Sequence, residues 1–123
     1  MRVVEEKISD LVREGLKGKE FVRTLSKRDK VVSDGKGEVK VILWNTTIAT
    51  FDANKNKVKL NSGGYHTTTT KSRLNALIQD WVKDNPYISQ KNFQWYTAQQ
   101  CPLTFDIRYQ DFEDNTVYEL KYY

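Results

Sequence analysis

The 123-residue chain has one cysteine, Cys101, and one histidine, His66. A single thiol excludes an internal disulfide, and one Cys with one His does not make a Cys/His zinc site. This cysteine usage suits a reducing compartment. No run approaches the ~18 apolar residues of a membrane helix. The first ten residues carry Glu5, Glu6 and Lys7 without an apolar stretch, so no secretory signal is expected. A Walker A spacing, a G-x-S-x-G elbow and an H-E-x-x-H pair are all missing. A strong acidic excess is missing too, which excludes a DNA mimic. The expectation is a single cytoplasmic domain with no membrane partner, no metal and no cofactor.

What is present begins with aromatics. Three Trp, seven Tyr and five Phe give large side chains for a core despite a mean hydropathy of −0.70, and disordered chains are poor in them. Charge is uneven. Residues 1–73 hold 16 Lys/Arg against 9 Asp/Glu, and residues 74–123 hold 4 against 7. A basic first part attracts phosphate backbones through a salt-screened field, unless the acidic part neutralises it in the fold.

Periodicity predicts an α+β fold: an antiparallel sheet of a meander plus C-terminal strands, one main amphipathic helix packed on it, and an N-terminal helix. Val4, Ile8, Leu11 and Val12 form one helical stripe, which Gly15 and Gly18 are expected to break. Short strands are expected at 21–25 and 31–32. Residues 38–60 alternate as a three-stranded meander with lysines on one face. Leu74, Leu77, Ile78, Trp81 and Val82 give the sharpest helical stripe, stopped at Asn85-Pro86. Strands are expected at 93–96, 105–109 and 117–122. The chain reads as one domain, 1–123, with an N-terminal helix extension (1–20), a central region (38–97) and an acidic, Tyr-rich C-terminal part (98–123).

One junction stands out. Gly63 and Gly64 permit close backbone approach, one of Thr67 to Thr70 caps the second helix, and Lys71 and Arg73 add cations at the positive end of its dipole. The junction reads either as a phosphate site or as a plain turn and cap.

Gly63, Gly64, Tyr65, Thr67, Thr69, Thr70, Lys71, Arg73, Leu74 and Asn75, with Gln90, Lys91, Asn92, Phe93, Trp95 and Tyr96 after the helix and Ile48-Ala49-Thr50 before it, resemble a family of small phage and cyanobacterial proteins. The resemblance covers about residues 40–97. It implies a phage or mobile-element origin and an accessory role in the host cell's cytoplasm, and it brings no activity with it.

Catalytic chemistry finds little footing. A Cys101–His66 dyad is conceivable only through space. Asp106, Asp111, Glu113 and Asp114 lack EF-hand spacing and read as a solvated acidic loop. Phe93, Trp95, Tyr96 and Tyr109 read either as core or as a base-stacking surface, and Tyr122-Tyr123 as a contact patch. The expected function is a non-enzymatic accessory protein binding nucleic acid through Lys40, Lys57, Lys59, Gly63, Gly64, Thr69, Thr70, Lys71 and Arg73. The alternative is a protein-binding inhibitor or modulator of host machinery, acting through the aromatic, acidic part. Oligomeric state is left open.

Overall fold

The structure is a computed structural model that describes residues 3–92, 94–100 and 103–121. These form α1 (Val3–Leu16), β1 (Glu20–Thr24), β2 (Asp29–Asp34), β3 (Glu38–Leu43), β4 (Thr46–Asp52), β5 (Lys57–Leu60), α2 (Thr68–Trp81), β6 (Tyr87–Lys91), β7 (Gln94–Gln100), β8 (Ile107–Asp111) and β9 (Thr116–Glu119). The α+β class and the antiparallel pairing follow the sequence pattern. The strands divide into a six-stranded sheet, β1-β2-β3-β4-β5-β9, and a three-stranded one, β6-β7-β8. β6 is the strand that alternation did not reveal. Asn92 turns the chain at φ 52°, so β6 and β7 fold into a hairpin with Gln90 opposite Trp95, and the strand expected at 93–96 runs from Gln94 to Gln100. Phe105, at φ 62°, precedes β8 instead of opening it.

Alternation along β2–β5 sends Val31, Val39, Val41, Leu43, Phe51, Val58 and Leu60 to one buried face. A bulge opposite Val41/Ile42 lets both Ile48 and Ala49 turn inward. Both helices cover this face. Gly15 does not break α1: it lies inside the helix, where a side chain would collide with Val39 and Ser33. Gly18, at φ 101°, follows the helix end. On α2, Leu74, Leu77, Ile78 and Trp81 are buried as the stripe requires. Trp81 meets Phe51 edge-on at 6.2 Å, donates its Nε1–H to Ser9 Oγ at 3.0 Å and lies under the Arg13 guanidinium.

One polar cluster is sealed into this interface. Arg73 of α2 is 3% exposed and Asp29 of β2 is 2% exposed. The guanidinium donates through Nε to Asp29 Oδ1 at 2.8 Å and through Nη2 to Oδ2 at 3.3 Å. Its Nη1 donates to Glu5 Oε1 of α1 at 3.0 Å. Two hydroxyls complete the set: Ser72 donates to Glu5 at 2.6 Å and Ser26 to Asp29 at 2.8 Å. Burial pushes the Asp29 carboxyl up, but the hydrogen bonds from Arg73 and Ser26 and the charges of Arg73 and Arg28 more than offset it, and the group titrates below its ordinary range. The hydrogen bonds to Asp29 likewise raise the Arg73 guanidinium, against the effect of burial.

The three-stranded sheet is joined to α2 by Asn75, which accepts the Ile88 N–H at 2.7 Å and donates to the Ile88 carbonyl at 3.0 Å. Its inner face buries Ile88, Trp95 and Thr97. Trp95 stacks on His66 at 4.3 Å and meets Phe112 edge-on at 5.6 Å. Of the aromatics expected as core or as a stacking surface, Trp95 is core, and Phe93 lies outside the described residues. On the outer face Tyr87, Ala98 and Tyr109 stand in one row, with Tyr87, Tyr109 and Ile107 exposed.

Three outcomes follow. Leu77→Ala removes a buried side chain from the helix–sheet contact and should lower unfolding free energy by about 2–5 kcal/mol in denaturant titration. Arg73→Met leaves Glu5 and Asp29 buried without their cation and should cost about 3–5 kcal/mol. Because the folded Asp29 carboxyl is depressed, its contribution is complete above the unfolded aspartate value of ~3.9 and is lost as pH falls through the folded value. Stability against pH should therefore drop more steeply below about pH 4 in wild type than in an Asp29→Asn variant.

Candidate nucleic-acid interface

The expected binding residues do not share one surface. Lys40 and Lys59 stand on the solvent face of the six-stranded sheet, each opposite Thr50. They border a shallow hollow of about 310 Å³ with Glu38, Thr47, Asn61 and Asn115. One row further, Lys57 lies between Asp52 and Glu119 and pairs with Glu119 at 3.1 Å. Two lysines, Lys57 first and then Lys83, hold the Glu119 carboxyl below its ordinary range. Lys40 pairs with Glu38 at 3.5 Å. This row also brings Glu20 opposite Asp34, so carboxylates partly neutralise the meander's basic face. Lys71 is on the other side of the sheet. It rises from α2, half-buried, with Gln90 Oε1 3.4 Å from its Nζ.

Arg73 is a correction. Its guanidinium is closed inside the Glu5–Asp29 cluster, so it is not presented to a phosphate, and its removal bears on folding. A signal was available. Arg73 lies four residues before Leu77 and eight before Trp81, on the buried stripe itself.

Gly63, Gly64, Thr69 and Thr70 gather at the far end of the sheet from the acidic row. Thr67 is the N-cap: its Oγ1 accepts the Thr70 N–H at 3.2 Å and lies 3.0 Å from the Thr70 hydroxyl. Gly63, at φ 66°, runs so close to Thr46 that a Cβ would collide with its methyl. Beside these residues opens a groove of about 410 Å³ between the β3–β4 turn and the β5–α2 loop. Leu43 and Ile48 are buried in its floor, and Thr46, Thr67, Thr69 and Ser62 bring hydroxyls. At its borders stand Trp44, 61% exposed, and Tyr65, 63% exposed. Trp44 and Asn45 form the two-residue turn, both left-handed at φ 52° and 69°.

A cationic tip adjoins this groove. The Trp44 N–H donates to the Arg28 carbonyl at 2.9 Å, which fixes the β1–β2 tip against the β3–β4 turn. Ser26 Oγ accepts the N–H groups of Arg28 and Asp29, each at 3.1 Å, and shapes the tip. Arg23, Lys27, Arg28 and Lys30 are all exposed here. None of them makes a salt bridge among the described residues. Asp29, the one carboxylate within residues 23–30, meets Arg73. The 26–30 tip and Trp44 lie well apart in the sequence. That they meet is set by pairing of Asp29 with Leu43, which local pattern does not disclose.

Cys101 and the Tyr122-Tyr123 patch lie outside the described residues, and His66 is stacked on Trp95. Among the described residues no three His, Cys, Asp or Glu side chains gather as a metal-binding group. Among them, too, no helix is long and apolar enough to cross a membrane.

No curated protein and no solved structure matches the chain. A protein family does match, over residues 1–119, so the kinship reaches well beyond the central segment 40–97 to take in α1 and β9. The chain belongs to the Kyanoviridae Gp96 protein family, a family of phage proteins.

Proposed function

We propose that this phage protein is a non-catalytic accessory factor that binds nucleic acid in the host cytoplasm, through the tip of the six-stranded sheet. One observation carries the reading: Arg23, Lys27, Arg28 and Lys30 are exposed on a single hairpin and make no salt bridge among the described residues, next to a hydroxyl-lined groove. Exposed cations gathered on one hairpin attract phosphates and release their counterions. Lys59, which also makes no salt bridge among the described residues, extends the field along the solvent face. Sequence-independent contacts of this kind position a strand without reading it.

A second reading has its own observation. Tyr87, Tyr109, Ile107, Phe105 and Leu103 are exposed on or beside the three-stranded sheet, and every residue of the edge strand β8 is exposed. Such a surface suits a host protein partner.

Removal of the three tip cations in Lys27→Ala/Arg28→Ala/Lys30→Ala should weaken binding to a 20-nucleotide oligomer. The slope of log affinity against log salt should fall by about 2–3, close to one per lost phosphate contact. The melting temperature should change little, because exposed charges add little to stability. Unchanged affinity and slope would refute the tip as the interface. Recovery of a host-protein complex that survives nuclease and high salt, and that Tyr109→Ser abolishes, would favour the second reading.

A further inference from the structure

The two aromatic side chains at the groove narrow the ligand class. Trp44 holds a left-handed backbone conformation that suits Asn or Gly and strains a bulky residue. Its ring is mostly in solvent, so little packing offsets that strain. Tyr65 stands at the same groove, also mostly exposed. Between them lie buried Leu43 and Ile48 and the Thr46, Thr67 and Thr69 hydroxyls. The cationic tip is tied to Trp44 through the Arg28 carbonyl. Two mostly exposed rings beside cations that make no salt bridge among the described residues complement a polymer whose bases and phosphates are both open to contact. A duplex hides its base faces in the stack, whereas a single strand offers them.

Building on the nucleic-acid reading above, we infer that the ligand is single-stranded. Bases stack on Trp44 and Tyr65, and the flanking phosphates lie against Lys27, Arg28 and Lys30. The hydroxyls of Thr46 and Thr69 offer hydrogen bonds without base specificity, so the site tolerates sequence.

The chain carries its own reporter. Trp81 and Trp95 are buried, which leaves Trp44 as the solvent-exposed indole. Titration of the full chain with oligo(dT) should quench tryptophan fluorescence, and a duplex of equal length should not. Affinity for the single strand should exceed that for the duplex by about tenfold or more, the worth of one or more stacked bases. Trp44→Asn keeps a residue suited to the turn while removing the ring, and Tyr65→Ala removes the second ring. Each should weaken oligo(dT) binding by about 5- to 150-fold at unchanged melting temperature, and Trp44→Phe should restore most of the loss. Equal affinity for duplex and single strand, or wild-type binding by both aromatic variants, would overturn the inference. If the tip-cation variant still loses affinity in that case, the nucleic-acid reading survives alone. Binding to neither polymer would overturn both.

Discussion

The buried guanidinium of Arg73 is the constraint on which the rest of the structure depends. It ties α1, α2 and β2 together through a single charged side chain. Two carboxylates face one cation, so the cluster carries an excess negative charge, and the Ser26 and Ser72 hydroxyls donate into that excess. A buried ion pair recovers its desolvation cost only when every polar atom finds a partner in good geometry. Here the fork of Arg73 meets Asp29 with two nitrogens, the arrangement that lysine could not reproduce. The same Asp29 closes the β1–β2 tip through Ser26. The charge buried in the core thus determines where the exposed charges of Lys27 and Arg28 are displayed.

Net charge alone would have misjudged this surface. The basic first part of the chain does not form one continuous basic face. At one end of the solvent face, Glu38, Asp52 and Glu119 intersperse Lys40 and Lys57, and Lys40 and Lys57 are drawn into pairs. At the other end the hairpin tip carries four cations, Arg23, Lys27, Arg28 and Lys30, against the single carboxylate of Asp29, whose two oxygens meet Arg73. The sheet is therefore polarised along its strands, and only one end presents a field suited to a polyanion.

The elements legible in the sequence are those whose burial repeats with a regular period. β2–β5 alternate because one face is sealed by helices, and the α2 stripe recurs at helical spacing because it seals them. The Thr67 cap was legible because capping is local. β6 was not: in Tyr-Ile-Ser-Gln-Lys only Ile88 is buried, so there is too little contrast to alternate. Nor was the β6–β7 hairpin, which turns at Asn92 without a glycine or proline to announce it. The candidate site was half legible. Gly63, Gly64 and the threonines marked the place, but the hairpin tip and Trp44 reach it only through strand pairing. Arg73 was misread because a cation beside a helix start looks like a ligand for anions until its two distant carboxylates are brought to it.

β5 has a further consequence for how the chain is made. Its partner on one side, β4, precedes it directly, but its partner on the other side is β9, synthesised only after α2 and the whole three-stranded sheet. Throughout translation of that stretch β5 is an open edge with unpaired amides and carbonyls, a template for pairing with another nascent chain. Lys57 and Lys59 stand at alternate positions on this strand, and charged side chains on an edge discourage such pairing. When β9 docks, Lys57 gains Glu119. The residue that guards the edge during synthesis becomes the one that latches it at the end.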